Sequence, residues 1–293
     1  MNPDQIILID KPAGMTSFGV VARIRRYLSE QLEKEGEQTD KTALPAARSL
    51  RGNMVAPQKR QCIKVGHTGT LDPFATGLMI ILTGKMTKKS NEFLKLDKIY
   101  EATIYLGATS TTGDPEGEIT SWEQPDCPSV SSAPPKRSTP SDIPILRGGL
   151  VARVAPLVVR ARSNEPEENR ATPNPDNVNE VLKSFVGEIT QTPPIYSAIK
   201  VNGQRAYKLA RQGKKVEIPK RKVRIYSVEL LNYDYPELKI RAHVSSGTYI
   251  RTLAEDIGKK LGVGAYLTAL RRTKIADYDL KDAKALADFG ISS

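Results

Sequence analysis

Gly66-His67-Thr68-Gly69-Thr70-Leu71-Asp72-Pro73-Phe74-Ala75-Thr76-Gly77 is the densest special segment of the chain. Three glycines, a histidine, an aspartate and a proline fall within these twelve residues. Glycine permits tight backbone, Pro73 restricts the residue before it, and small side chains let a ligand approach. The segment lies between two apolar stretches, and the run at 78–82 predicts a buried strand. Such a loop suits a ligand site. On the residues alone it suits an ordinary glycine-rich turn, with Asp72 as turn former, equally well. His67 reads as a hydrogen-bonding loop residue, because a lone histidine without cysteine or acidic partners is a poor metal site.

Working outward, Ile6-Ile7-Leu8-Ile9 predicts a strand stopped by the turn cluster Asp10-Lys11-Pro12-Ala13-Gly14. Ser17 can cap a helix carrying Val20, Val21, Ile24, Tyr27, Leu28 and Leu32 at helical spacing. The pattern then fails, and 36–60 reads as a polar loop insert. Beyond the loop, 88–96 predicts a short helix and 100–106 an alternating strand that Tyr100 begins. By itself Tyr100 is a cross-strand aromatic. Residues 123–178 hold ten of the chain's 20 prolines, with seven acidic and seven basic side chains, which predicts a second, flexible insert. An apolar patch at 143–159 could form a hairpin within it. Val181, Leu182 and Phe185 then predict a short helix ending at Gly187, and strands follow near 223–233 and 238–244. A helix over 249–261 places Ile250, Leu253, Ala254, Ile257 and Leu261 on one face. It opens after Ser245-Ser246-Gly247-Thr248, so Tyr249 and Arg251 stand at a helix start, where anions bind.

The 293 residues suffice for a core that needs no metal or disulfide staple. Two cysteines exclude a disulfide scaffold, and two histidines argue against a structural zinc. No apolar run approaches a membrane span and no basic region precedes the first apolar run, so a cytoplasmic protein without membrane association is expected. The formal charge of +11 favours a polyanionic partner. Most of it is concentrated at 200–224, where ten basic residues meet one acid. Lys200, Arg205, Lys208, Arg211, Lys214, Lys215, Lys220, Arg221 and Lys222 are the candidate phosphate contacts there, and Tyr207 can stack on a base. A solvated charged hairpin is the bland reading of the same run. The phosphate-binding Gly-x-x-x-x-Gly-Lys-Ser/Thr and a dinucleotide-type Gly-x-Gly-x-x-Gly after the first strand are both missing, which argues against a nucleotide cofactor. No Gly-x-Ser-x-Gly elbow occurs either.

Taken together and in order, these segments resemble the TruB family of tRNA pseudouridine synthases. Lys11-Pro12-Ala13-Gly14-Met15-Thr16-Ser17 is similar to the family's first motif, and Gly66-His67-Thr68-Gly69-Thr70-Leu71-Asp72-Pro73 to its catalytic loop. Lys98-Ile99-Tyr100 matches the strand bearing the active-site tyrosine. The stretch 191–200, Arg205-Ala206-Tyr207 and Ala210-Arg211-Gln212-Gly213 resemble the RNA-gripping thumb. Gly247-Thr248-Tyr249-Ile250-Arg251 and the stretch 267–273 resemble the last two motifs.

The resemblance implies a mixed α/β fold, with a central, largely antiparallel sheet flanked by helices and loops and a basic thumb hairpin. The sequence departs from the family at two points: the inserts 36–60 and 123–178 stand outside its usual catalytic core, and the chain ends about 20 residues after Arg272, so a single catalytic domain over 1–293 with no complete C-terminal PUA domain is expected. The implied activity converts uridine 55 in the T-loop of tRNA to pseudouridine, on a flipped-out base, with no cofactor or metal. By carry-over Asp72 is the nucleophile and Arg251 its ion-pair partner. Tyr100 stacks on the base and is a candidate proton acceptor, while His67, Tyr249 and Leu270 line the substrate site. The expected partner is the T-arm of tRNA, bound by a monomer. The competing expectation is a non-catalytic RNA-binding or tRNA-folding chaperone on the same scaffold.

Overall fold

In a computed structural model of the chain, the described residues are 3–42, 63–122, 172–197, 199–201, 204–206, 212 and 218–291. Their strands are β1 (Ile6–Lys11), β2 (Val65–His67), β3 (Thr76–Thr83), β4 (Lys98–Leu106), β5 (Ala108–Ser110), β6 (Ile119–Ser121) and β7 (Gly187–Gln191). There follow β8 (Lys200–Val201), β9 (Gln204–Arg205), β10 (Arg221–Asp234), β11 (Glu237–Val244), β12 (Ala265–Ile275), β13 (Tyr278–Asp279) and β14 (Lys284–Ala285). The helices are α1 (Ser17–Thr42), α2 (Ser90–Leu94), α3 (Pro175–Lys183) and α4 (Ile250–Leu261).

Among the described residues one large sheet runs β14-β1-β3-β12-β4-β11-β10-β7, with β13 added to β12 and β2 to β3. It is the mixed, largely antiparallel sheet that the motifs imply. Only β1 with β14 and β3 with β12 pair in parallel. Every residue of β3 from Gly77 onward is buried. A strand covered on both faces must read as a continuous apolar run, which is why Leu78-Met79-Ile80-Ile81-Leu82 does. In β4, by contrast, Lys98, Tyr100, Ala102, Ile104 and Leu106 are buried and their alternates are half-buried, the period of a strand covered more fully on one face.

The main core forms where α1, α3 and α4 cover one face of the sheet, with Val20, Ile24, Val181, Leu253 and Ile257 set against Met79, Ile104 and Ile240. A smaller core of Leu78, Ile80, Leu82 and Ile275, with Phe93 and Tyr278 packed against it, covers the opposite face of the β3 region. No helix among the described residues is long and apolar enough to cross a membrane.

Three elements depart from the sequence expectations. Helix α1 continues to Thr42, seven residues into the stretch 36–60 expected to be a loop. That extension (Gly36-Glu37-Gln38-Thr39-Asp40-Lys41-Thr42) has no apolar stripe, so periodicity could not register it. Helix α3 begins at Pro175, inside the proline-rich stretch 123–178. The Asn174 side chain accepts the Asn177 N–H at 2.7 Å, and Pro175 occupies the first turn, where its missing N–H costs nothing. The residues expected to form one helix over 88–96 divide into a 3-10 turn, Gly84–Lys89, and α2. The patch at 143–159, like the rest of 43–60 and 123–171, lies outside the described residues.

Candidate active site

The Gly-rich loop joins β2 to β3 and is fastened from three sides. The Ser17 hydroxyl donates to Leu71 O at 2.9 Å and accepts the Leu71 N–H at 2.8 Å. Gly14 N–H donates to Pro73 O at 2.9 Å. The fully buried Lys11 ammonium donates to Pro12 O, Pro73 O and Ala75 O at 2.9, 3.0 and 2.5 Å. Burial pulls its pKa down to about 8. From below, Arg272, 1% exposed, donates to Leu78 O at 2.7 Å and Gly69 O at 3.1 Å. Gly77 is required where these pieces meet. Its φ is +103°, and a Cβ there would lie 2.3 Å from Arg272 O.

These restraints bracket Asp72. Its side chain is 34% exposed, against 5% for that of Arg251, so the carboxylate is reachable while its partner is not. Arg251 Nε lies 3.1 Å from Asp72 Oδ2, and Nη2 donates to Oδ1 at 3.3 Å. The same guanidinium donates through Nη1 to Asp114 Oδ2 at 2.9 Å and Thr112 O at 3.1 Å, and through Nη2 to Tyr196 O at 3.1 Å. Arg251 is therefore held on both flanks, with a planar fork that a point charge could not reproduce.

Burial pushes the Asp72 carboxyl above the usual aspartate range, Arg251 opposes that rise, and Asp114 adds to it. A partly desolvated carboxylate kept ionised by a fixed cation is an activated nucleophile or base.

Asp114 is the functional residue that sequence reasoning missed. It is 3% exposed, and its Oδ1 also accepts from Thr112 Oγ1 at 2.5 Å and Glu116 N–H at 3.1 Å. It sits in Thr112-Gly113-Asp114-Pro115, which reads as a plain turn. The available signal was Gly113, whose φ of +74° brings the chain so close to α4 that a Cβ would meet Glu255 Oε1 at 2.4 Å. Arg272 was likewise assigned no role from the sequence.

Of the other expected site residues, Tyr100 is 8% exposed on β4, and the Arg272 guanidinium lies 6.0 Å over its ring, linking it to the loop. His67 ends β2 directly before the loop, with a buried, unpartnered Nδ1. Burial and Arg272 lower its pKa. Tyr249 caps α4, its N–H donating to Gln191 Oε1 at 3.1 Å and its carbonyl accepting from Gln191 Nε2 at 3.3 Å. Leu270, 7% exposed, belongs to the main core on β12, opposite Ala102.

The basic run is placed less uniformly. Arg221 lies 4.5 Å over the Tyr249 ring and donates to Gly247 O, so its guanidinium is engaged within the chain. Lys222 pairs with Glu188 at 2.9 Å, both well exposed, and Lys220 is exposed. Lys200 and Arg205 oppose one another in the β8–β9 ladder. Tyr207, Lys208, Arg211, Lys214 and Lys215 lie outside the described residues. Among the described residues no cluster of His, Cys, Asp and Glu could hold a metal ion.

Comparison with known proteins shows the family. The model of the TruB family pseudouridylate synthase N-terminal domain matches residues 57–135 and 160–250. That of the tRNA pseudouridylate synthase B C-terminal domain matches 251–290. The matches run through parts of both expected inserts, so these parts belong to the family pattern, and 136–159 separates the matched stretches.

The chain is 36% identical to tRNA pseudouridine synthase B of Aquifex aeolicus over 288 residues, 98% of this chain and 73% of that protein. With the enzyme of the same name from Phocaeicola vulgatus it shares 36% over 285 residues, 97% of this chain and 91% of that protein. In fold it is similar to a chain in a crystal structure of a Cbf5-Nop10-Gar1 complex, with a TM-score of 0.54 and 24% identity over 97% of this chain, which spans 52% of that one. A fastened aspartate loop, an arginine aimed at it and matched sequence over nearly the whole chain together place the chain in the TruB family of pseudouridylate synthases.

Proposed function

We propose that the chain isomerises uridine to pseudouridine in the T-loop of tRNA, at position 55, with Asp72 as nucleophile. The observation that carries this reading is the Asp72–Arg251 pair, a reachable carboxylate held by a buried guanidinium. The bond arithmetic closes on the substrate and the aspartate. Asp72 forms a bond to the nucleotide that later breaks again, the N1–C1′ bond breaks, the uracil turns while held in the pocket, C5 bonds to C1′, and the C5 proton leaves to a base while N1 gains one. No electrons are exchanged with a second reactant.

A nucleotide must leave its stack to present its reacting atoms to a side chain. Tyr100, held by β4 with Arg272 behind its ring, suits the stacking of that base, and its hydroxyl is the candidate acceptor of the C5 proton. Arg251 holds Asp72 ionised and oriented, and Asp114 holds Arg251. His67, Tyr249 and Leu270 supply the walls. The basic residues of 200–224, Lys220 foremost among those described, meet the phosphates of the T-arm.

The test is to map pseudouridine in unmodified tRNA incubated with the purified protein and with Asp72→Asn. The expected result is a single new pseudouridine in the T-loop with the wild-type chain and none with the variant, whose tRNA affinity stays within a few-fold. An RNA chaperone without catalysis would leave the uridine intact in both.

A further inference from the structure

Phe18 is 68% exposed, more than any other large apolar side chain among the described residues. A single exposed aromatic is unremarkable in itself. Its position is the unusual part. The residue before it, Ser17, is 2% exposed and exchanges two hydrogen bonds with Leu71, the residue before Asp72. Gly14 is bonded to Pro73, the residue after Asp72. The stretch 14–17 is thus tied to both sides of the aspartate, and Phe18, directly after it, is its exposed aromatic neighbour.

The same helix surface continues in a definite chemistry. Ala22 and Arg26 follow at i+4 and i+8, both exposed, with Arg23 half-buried beside them. No acidic residue stands in the first turn of α1, and among the described residues neither Arg23 nor Arg26 forms an ion pair, Arg23 reaching Met15 Sδ at 3.6 Å. An exposed ring followed by guanidinium groups over about 12 Å of helix is a stacking platform with phosphate forks beyond it. A protein partner would need a wider apolar patch than one phenyl ring and one methyl group.

We propose that the Phe18–Ala22–Arg26 surface of α1 binds the substrate RNA next to the pocket, Phe18 stacking on a base that flanks the target nucleotide and Arg26 meeting a phosphate of the same strand. The inference rests on the tRNA reading above and adds a contact surface separate from the 200–224 run.

The test uses the full-length protein, a T-arm stem-loop RNA and tRNA. Phe18→Ala should weaken RNA binding and kcat/KM by about tenfold, the loss expected when one base stack is removed. Phe18→Trp should restore both. Melting temperature should not fall in either variant, since the ring is not part of the core. Arg26→Gln should flatten the dependence of log K on log salt by about 0.7. Phe18→Ala binding within about twofold of wild type, or Phe18→Trp as weak as Phe18→Ala, overturns the proposal. A wild-type chain that modifies tRNA while Phe18→Ala is unimpaired refutes this surface alone. A wild-type chain that forms no pseudouridine refutes the reading beneath it.

Discussion

Arg251 faces two carboxylates, and titration can separate its two roles. On the proposed mechanism Asp72 acts ionised, and burial raises its pKa, so activity should fall on acidification at a pH above that of an ordinary aspartate. Asp114 contributes to that rise. Asp114→Asn should therefore move the acid limb of kcat/KM to lower pH while lowering the plateau, because Arg251 loses its second anchor. A limb that stays in place or moves up would contradict the assignment. Arg251→Lys should lose most activity, since an ammonium cannot span Asp72, Asp114 and two carbonyls at once.

Stability should respond in the opposite sense at Asp72. With its folded pKa above the unfolded one, ionisation of Asp72 destabilises the fold as pH rises through that window. Asp72→Asn, inactive, should accordingly melt no lower than wild type at neutral pH, and calorimetry checks it.

Elements differ in how much of themselves they show in sequence. Strand β4 and helix α4 were legible because each buries a face and repeats apolar residues at its own period, and β3 because, buried on both faces, it is a continuous apolar run. The start of α3 was hidden by the opposite cause. Prolines counted as breakers, yet Pro175 after Asn174 is a helix start. Asn174→Ala should cost about 1 kcal/mol, a fall of roughly 2–4 °C in Tm, measurable by thermal denaturation.

The Gly-rich aspartate loop was legible as a motif, but its fastening was not. Arg251 and Asp114 are 137 residues apart, and Arg272 and Gly69 are 203 apart. Partners at such separations meet only through the sheet order, which no local pattern encodes. The strand-borne Tyr100 was legible by resemblance alone, since an isolated tyrosine opening a strand carries no functional signal.

At the scale of the molecule, Trp122 and Pro173, the residues on either side of 123–172, are both bonded near the same turn of the sheet. Trp122 N–H donates to Gly107 O, and the Tyr235 hydroxyl is the nearest group to a Cβ built at Gly107, 2.8 Å away. Two residues earlier on that strand and turn, the Tyr233 hydroxyl donates to Pro173 O at 2.6 Å. We expect that a Gly-Ser linker of about ten residues, with an r.m.s. reach of roughly 17 Å, can replace 123–172 while the protein still folds and modifies tRNA. The bridge must end before Asn174 to keep the α3 cap. Insoluble protein, or tRNA affinity lowered by more than about tenfold (about 1.4 kcal/mol), would show that the segment contributes to the fold or to binding.

The two-residue strand β14 has a consequence out of proportion to its length. It pairs with β1 through Ile9↔Lys284 and Asp10↔Ala285, and the turn after it lodges Leu286, 2% exposed, and sets Phe289 edge-on against Tyr27 at 5.3 Å. Without it β1 would be a bare outermost strand, and unpaired backbone donors and acceptors are a template for another copy of the same chain. Shortening the chain before Lys284 should make the protein self-associate on mild warming, a change that light scattering would register before any loss of helix signal.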